Sequence, residues 1–391
     1  MKRELEFDFM EIDCIHFCVT DVAQTLDLLV DRMGLKNLSQ QANEHTVQYL
    51  VGNAHLLFSI ASPLTSSSPV AEYLNLHPSG VKDVSFRVDD LEEIRCRISR
   101  LGIETIDRSS EDDQREWLKI RGWGAIEHTI IQASSRSYSE QIPELNETII
   151  GVDRIVLNVA AGDLEPAVTW DRDRSCSEQI PDLYETIIGI DHIVLNVAAG
   201  ELEPAVTWYR ELFDFDVQQT FDIQTQKSGL ASKALVSACG KIRFNINEPS
   251  STNSQIQEFL DLNRGAGIQH IALQTHDILT SIDLMRQQAV SFLPIPQTYY
   301  ANLQSRARSE QNLLLTDREW QQLERLQILM DWSTATPEEI LLQIFTQPIF
   351  ESPTFFFEII ERRNRAKGFG QGNFQALFEA IEDYNASTLS I

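Results

Sequence analysis

A fourfold repeat in the order of predicted elements is the feature that most restricts the fold of this chain. Each repeat begins with a short apolar strand and continues through a polar turn. It then enters a helix with apolar residues near positions i, i+3, i+4 and i+7. The four predicted strands begin near Ile12, Val81, Gly189 and Gly267. Further strand-like runs follow each helix, so the repeating unit is βα followed by several strands.

Two repeats lie before about residue 135 and two lie after about residue 174, which predicts two pseudo-equivalent domains. The predicted fold class is α+β, with two pseudo-repeated domains. In each domain, paired βαβββ modules form an open, curved, mixed β-barrel with helices outside. We assign residues 1–135 to an N-terminal structural domain and residues 174–391 to a C-terminal domain. A chain of 391 residues is long enough for two such cores.

A second repeat, of a different kind, lies between these domains. Residues 136–173 and 174–211 align head to tail with an offset of 38 residues and 30 identities. The first copy has Arg154 where the second has His192, and it stops before the rest of the helix and its following strands. We expect residues 136–173 to be an inert partial-module insert, because connecting regions tolerate insertions. Two alternatives remain: a defect of the gene or its recorded sequence, and a copy whose strand competes for a place in the sheet.

Composition and charge argue against several classes of partner. The net charge of −26 and the pI near 4.6 disfavour binding to nucleic acid or to an anionic membrane. The chain has no run of about 18 apolar residues and no signal-peptide core, so we expect no membrane span. The 5 cysteines are scattered, which favours reduced thiols in a cytoplasmic protein.

Two of the four module-opening strands carry a histidine in the same setting. His192 and His270 each follow a Gly-Ile-x tripeptide and precede Ile-x-Leu. The corresponding positions of the first domain are predicted at His16 and at Asp83 or Val84. The first domain therefore lacks the histidine pair, and we expect it to be a structural relative without the site.

A third apolar run contributes a carboxylate. Glu358 directly follows three phenylalanines at 355–357, and a carboxylate in such a run is costly unless it is paired or bound to metal. Glu361 is the alternative, but Arg362 and Arg363 follow it, so we expect a solvated surface pair there. Two imidazoles and one carboxylate leave three adjacent metal positions open, which suits Fe(II) with a chelating substrate and O₂ better than tetrahedral zinc. The competing interpretation is that both histidines are strand residues satisfied by backbone carbonyls.

Six motifs follow one another in the second half. They are Ile190-Asp-His-Ile-Val-Leu-Asn, Ser254-Gln-Ile-Gln, Gly265-Ala-Gly-Ile-Gln-His-Ile-Ala, Leu342-Gln-Ile-Phe-Thr-Gln-Pro, Phe357-Glu-Ile-Ile-Glu-Arg-Arg and Gly368-Phe-Gly-Gln-Gly-Asn-Phe. In order and approximate spacing the chain resembles the 4-hydroxyphenylpyruvate dioxygenase family of the vicinal-oxygen-chelate superfamily, and most of all its cyanobacterial form. The resemblance is strong from residue 189 onward and holds for the first domain in pattern only.

The resemblance implies that His192, His270 and Glu358 hold Fe(II), which makes the C-terminal domain catalytic. It implies conversion of 4-hydroxyphenylpyruvate and O₂ to homogentisate and CO₂, by oxidative decarboxylation, ring hydroxylation and side-chain migration, as a step of tyrosine catabolism. It also implies a set of substrate-binding residues. These are Ser232, Asn247, Gln255, Gln269 and Gln343 as polar groups, Phe345, Phe356, Phe369 and Phe374 as aromatic walls, and Asn373 and Leu377 on a closing helix. Family members commonly form dimers or tetramers, so the resemblance implies a homo-oligomer.

Two departures from the family pattern leave alternatives open. Asn245 stands where many family members carry proline, close to the expected substrate position. The 4-hydroxymandelate synthases share the fold, the iron ligands and the substrate but hydroxylate the side chain, so 4-hydroxymandelate is the alternative product. The insert at 136–173 directly precedes the first expected ligand. If it disrupts the site, the chain is a non-catalytic binding module.

Overall fold

The structure, a computed structural model, describes residues 9–109, 116–133, 186–224, 229–251, 253–310, 315–374 and 376. Within these residues the chain forms two eight-stranded mixed sheets. The insert at 136–173 and the predicted domain boundaries fall in the range 134–185, outside the described residues. The division into domains at those boundaries therefore stays a prediction.

The first sheet has the strand order β2-β3-β4-β1-β5-β8-β7-β6. Its strands are β1 Met10–Cys18, β2 Lys36–Ala42, β3 Thr46–Gly52, β4 Leu57–Pro63, β5 Gly80–Val88, β6 Thr105–Arg108, β7 Trp117–Arg121 and β8 Glu127–Gln132. Its helices are α1 Val22–Leu26, which a π-helical turn extends, α2 Pro69–Leu76 and α3 Leu91–Leu101.

The second sheet has the equivalent order β10-β11-β12-β9-β13-β16-β15-β14. Its strands are β9 Ile187–Asn196, β10 Phe215–Gln224, β11 Gly229–Ser237, β12 Arg243–Pro249, β13 Gly267–Thr275, β14 Leu329–Ser333, β15 Thr336–Phe345 and β16 Phe356–Arg362. Its helices are α4 Leu202–Phe213, α5 Gln255–Asn263, α6 Ile278–Gln287, α7 Gln297–Glu310 and α8 Asp317–Leu326.

The two sheets repeat the same pairing rules. β1 pairs in parallel with β4 and antiparallel with β5, just as β9 pairs with β12 and β13. β5 and β13 then pair in parallel with β8 and β16. The predicted fold class, with two pseudo-repeated units of curved mixed sheet and outer helices, is confirmed.

Polar residues placed directly before the apolar helical periods begin several helices. Asp90 accepts a hydrogen bond from the backbone N–H of Glu93 at the start of α3, and Asp277 accepts one from Thr280 at the start of α6. Thr316 forms a reciprocal capping box at the start of α8. Each cap satisfies amide groups that the first turn of a helix leaves without a partner.

The two sheets share one apolar core. The ring of Phe17 on β1 packs edge-on against Phe58 of its own sheet, with centroids 5.7 Å apart. It also packs against Phe355, which directly precedes β16 of the other sheet, at 5.2 Å. Phe357 on β16 closes the cluster with a ring 5.7 Å from Phe58. This contact buries one face of β1 and one face of β16 between the two sheets. None of the helices in the described residues is long and apolar enough to cross a bilayer.

Candidate metal centre and aromatic pocket

Three neighbouring strands of the second sheet bring the predicted ligands together. His192 on β9, His270 on β13 and Glu358 on β16 are all buried, and one ligand atom from each lies within 4.8 Å of the others. His192 Nε2 is 3.3 Å from Glu358 Oε2, and His270 Nε2 is 3.7 Å from the same oxygen. The two imidazole rings meet nearly edge to face, with centroids 5.9 Å apart.

The strand register explains why these side chains share one face. Ala272 on β13 is paired with His192 on one side and with Glu358 on the other. His270 lies two residues before Ala272, and residues two apart on a strand point to the same face. Ala272 carries only a methyl group, which leaves space between the flanking ligands.

The two histidines have different electrostatic surroundings. Burial by itself lowers the pKa of His192, but the charge of Glu358 and a hydrogen bond to Asp191 outweigh it and raise that pKa to about 9. Nδ1 of His192 donates to Asp191 Oδ1 at 2.8 Å, which turns Nε2 toward the cluster. Burial, assisted by the charge on His192, lowers the pKa of His270 well below its ordinary value. A divalent cation at this place would therefore displace a proton from His192.

The cluster lies in a pocket whose lining comes from β9 to β13, β15, β16, α5 and the segment after β16. Most residues that the family resemblance assigned to the substrate line this pocket. They are Ser232, Asn247, Gln255, Gln269 and Gln343 among the polar groups, and Phe345, Phe356, Phe369 and Phe374 among the aromatic ones. The pocket thus combines aromatic walls with a few directed amide and hydroxyl groups.

Ring contacts place the aromatic walls directly against the candidate ligands. Phe356 stacks on His270 with centroids 4.8 Å apart and an angle of 17° between the planes. Phe369 packs edge-on against His192 at 5.3 Å. Gly370, next in the chain, has φ 71° and lies over the amide of Gln343, where an added Cβ would be 2.0 Å from Oε1. Only glycine fits this close approach.

One predicted substrate residue, Asn373, is not among the residues that line the pocket. Asn373 is buried, and its Oδ1 accepts a hydrogen bond of 2.7 Å from the hydroxyl of Tyr299. Leu377 lies outside the described residues. The apolar lining residues Val194, Ile223, Leu230 and Ile256 were not anticipated. The alternation of side chains along β9 could have identified Val194 as a pocket residue, because it lies two residues after His192 and so shares its face.

The first sheet holds different residues at the equivalent positions, and one predicted correspondence was wrong. Ile15 pairs with Phe58 and Val84, as Ile193 pairs with Phe244 and Ile271. The residue equivalent to His192 is therefore Cys14, not His16. By the same registers Asp83 corresponds to His270, and Thr129 corresponds to Glu358. The sequence prediction matched one histidine with the other. The strand pairing instead places His16 two residues beyond the position that corresponds to His192.

In the first sheet, a lysine ammonium lies at the place that corresponds to the candidate metal centre. The ammonium of Lys119 is 3.4 Å from the carboxylate of Asp83, and both side chains are buried. The hydroxyl of Thr129 donates to Asp83 Oδ2 at 2.5 Å, and its backbone N–H donates to Oδ1 at 3.0 Å. Burial alone would raise the pKa of Asp83, but the charge of Lys119 and these partners lower it. The first sheet thus has a closed ion pair at the place where the second has an open cluster.

The alternative carboxylate, Glu361, is also placed differently from the prediction. It is buried rather than solvated, because its Oε2 accepts the backbone N–H of Ile278 at the start of α6. Its Oε1 accepts from Arg363 Nε at 2.7 Å. Both carboxylate oxygens of Glu361 are thus engaged away from the histidines.

Comparisons with known proteins agree with the fold. Residues 189–317 match the model of the Glyoxalase/Bleomycin resistance protein/Dioxygenase superfamily. A substituted form of 4-hydroxymandelate synthase from Streptomyces coelicolor superposes with a TM-score of 0.75 at 24% identity, covering 96% of this chain and 98% of that one. The fold is therefore that of the vicinal-oxygen-chelate dioxygenases.

Two relatives are similar over nearly the whole chain. A protein of Synechocystis sp. described as uncharacterized is 37% identical over 378 residues, which is 95% of this chain and 97% of that protein. The 4-hydroxyphenylpyruvate dioxygenase of Dictyostelium discoideum is 33% identical over 399 residues, with coverage of 95% and 96%. The chain belongs to the 4-hydroxyphenylpyruvate dioxygenase family and is an oxidoreductase of that family. The resemblance inferred from the six motifs is confirmed.

Proposed function

We propose that this chain is a non-haem Fe(II) dioxygenase that converts 4-hydroxyphenylpyruvate and O₂ to homogentisate and CO₂. The convergence of His192, His270 and Glu358 at one end of an aromatic pocket supports this activity most directly. In this proposal His192, His270 and Glu358 are the iron ligands, and the predicted polar and aromatic residues that line the pocket contact the substrate.

The residues of the cluster fit a divalent iron ion. Two imidazole nitrogens and one carboxylate are the donor set of Fe(II) oxygenases with open positions. Glu358 Oε1 is buried, and no described residue donates a hydrogen bond to it. Such a carboxylate oxygen is costly unless a cation or ligand compensates it. Bound Fe(II) would supply the activation of O₂ and the acidity that polarises a 2-oxo acid.

The chain's own groups would orient the substrate and exclude water. The aromatic ring of 4-hydroxyphenylpyruvate would pack against the phenylalanines of the pocket, of which Phe356 and Phe369 contact the two candidate ligands. The amides and hydroxyl that line the pocket would bind the polar ends of the substrate. Asp191 would keep the proton of His192 on Nδ1, so that Nε2 is free for the metal. Closure by the segment after β16 would keep bulk water from the reacting groups.

Formation of 4-hydroxymandelate from the same substrate is the second candidate function. Asn245 lines the pocket, and no described residue donates a hydrogen bond to its buried Oδ1. An amide here rather than proline adds a polar group beside the substrate. The two activities consume the same reactants and differ in whether the ring or the side chain is hydroxylated.

Anaerobic titration with Fe(II) and then 4-hydroxyphenylpyruvate tests the proposal. We expect a metal–keto acid charge-transfer band, followed by O₂ uptake and release of CO₂ when air is admitted. Glu358→Gln, which keeps the size of the side chain but removes its charge, should lose both. Chromatography of the product then separates homogentisate from 4-hydroxymandelate. Absence of the band in the unaltered protein would contradict both activities.

A further inference from the structure

Arg362, at the end of β16, joins the candidate metal centre to the segment that covers the pocket. Its Nε donates to Asp191 Oδ2 at 2.6 Å, and its Nη2 donates to Oδ1 at 2.7 Å. Its Nη1 donates to the carbonyl oxygens of Ala366 at 3.0 Å and Gly368 at 2.8 Å. The side chains of Arg362 and Asp191 are 6% and 0% exposed, so water does not compete for these bonds.

On one side, this arginine controls the group that orients His192. Asp191 Oδ1 accepts the Nδ1–H of His192, and that bond determines which ring nitrogen faces the cluster. The two-point contact with Arg362 fixes the plane of the Asp191 carboxylate, because a guanidinium fork admits one relative orientation. His192 is therefore held through Asp191 by a residue at the far end of β16.

On the other side, the same guanidinium holds the segment 366–374. Gly368 has φ 85°, a left-handed conformation that turns the chain back over the pocket. Phe369 follows it and packs edge-on against His192, while the Arg362 guanidinium lies 5.9 Å from the same phenyl ring. One arginine thus contacts both supports of His192, namely its carboxylate partner and the ring packed on its face.

We propose that Arg362 is a positioning residue that couples the seating of the segment 366–374 to the orientation of His192. This coupling rests on the metal site of the proposed function. Coupling between two sites is reciprocal. Metal binding therefore protects the segment, and loss of the Arg362 contacts weakens metal binding.

The next residue, Arg363, provides a matched control. Its Nε donates to Glu361 at 2.7 Å, and its Nη1 donates to Glu319 of α8 at 2.9 Å. It therefore makes carboxylate contacts on the same strand end, and those partners face away from the cluster. The same substitution at 362 and 363 separates the loss of an arginine–carboxylate ion pair from the loss of the coupling.

Titration of the metal-free protein with Co(II), followed by its visible absorption, measures the first half of the coupling. Arg362→Gln should bind Co(II) about 10- to 100-fold more weakly, the loss typical of removing a group that orients a ligand. Arg363→Gln should bind like the unaltered protein. Hydrogen exchange of the peptide 366–374 measures the second half. Co(II) should slow exchange there in the unaltered protein and in Arg363→Gln, but not in Arg362→Gln.

Arg362→Gln alone leaves the buried charge of Asp191 without its partner and could fail to fold. The double variant Asp191→Asn/Arg362→Gln removes both buried charges and serves in that case. Since Arg362 acts on His192 through Asp191, the double variant should bind Co(II) no more weakly than Asp191→Asn, and Co(II) should no longer slow exchange in 366–374. Equal Co(II) affinity in the 362 and 363 variants, or full Co(II)-dependent protection in the double variant, would overturn the coupling. Failure of the unaltered protein to bind Co(II) would instead overturn the metal site and the coupling with it.

Discussion

The hydroxyl of Tyr209 donates to His128 Nε2 at 3.0 Å and so joins the first sheet to α4, the first helix of the second half. Nδ1 of the same imidazole donates to the carbonyl oxygen of Val84 at 3.0 Å, so both ring nitrogens are engaged in the neutral form. Phe86 and Phe213 pack on this ring, with centroids 5.2 and 5.6 Å away. Protonation of His128 would place a positive charge in this buried, aromatic environment, and the Tyr209 hydroxyl would have to accept a hydrogen bond from Nε2 instead of donating one.

Acid should therefore weaken the contact between the two halves. Burial lowers the pKa of His128 from 6.5 to about 4, against the opposing effects of its bond to Val84 and the charge of Asp83. Between these values the unfolded chain binds a proton that the folded chain does not, so the free energy of unfolding falls as pH drops. The difference in pKa corresponds to about 3 kcal/mol, present above pH 6.5 and lost toward pH 4.

Urea unfolding at pH 7.5 and pH 4.5 measures this effect. His128→Gln, which does not titrate, should be less stable at pH 7.5 but should lose about 2.5 kcal/mol less on acidification to pH 4.5. Tyr209→Phe keeps the titrating imidazole and serves as the control. An equal acid-induced loss in His128→Gln and the unaltered protein would contradict the role of His128.

Enlarging Ala272 should damage the metal centre more than the fold. Its methyl group lies between His192 and Glu358 in the strand register, so the branched side chain of Ala272→Leu would intrude between them. We expect overpacking to cost about 1–3 kcal/mol of stability. We expect Co(II) affinity to fall about tenfold or more. Ala205→Leu, a change at a buried position of α4, should cost a similar amount of stability and leave Co(II) affinity unchanged. Equal Co(II) affinities in the two variants would show that the side chain of residue 272 does not lie between the two ligands.

Removing the amide of Asn245 should reduce recognition of the substrate hydroxyl. The buried Oδ1 has no hydrogen-bond donor among the described residues, and the phenol is the single donor on an ionised 4-hydroxyphenylpyruvate. Asn245→Val should therefore lower the preference for 4-hydroxyphenylpyruvate over phenylpyruvate by about fivefold, since a lost hydrogen bond is worth about 1 kcal/mol. Binding of both keto acids to the Co(II) protein measures that ratio, with Asn37→Val on exposed β2 as the control. An unchanged ratio would show that Asn245 faces another part of the substrate.

The two copies of the duplicated stretch should differ in function. His192→Ala should abolish turnover and Co(II) binding, because it removes a candidate ligand. Arg154→Ala, at the corresponding position of the insert, should leave both unchanged. Arg154 lies outside the described residues, so this expectation comes from the sequence. Loss of activity in Arg154→Ala, or failure to fold on deletion of 136–173, would show that the insert is integrated in the protein.

Local sequence patterns determined the modular fold and the metal-site candidates. Apolar periodicity and caps such as Asp90 and Asp277 act within a few residues, so they can be read before any tertiary contact is known. The repeated surroundings of His192 and His270 singled them out among the histidines for the same reason. The carboxylate of Glu358 was conspicuous because an unpaired charge in an apolar run is costly.

Only the tertiary structure decided how these segments meet. Strand register, which depends on pairing between distant segments, showed that Cys14 rather than His16 occupies the place of His192. Glu361 proved buried because Ile278, 83 residues away, supplies a backbone donor. The contact between Asp191 and Arg362 joins residues 171 apart. No local signal marks such a contact, because its energy depends on burial that arises only when the sheet has formed.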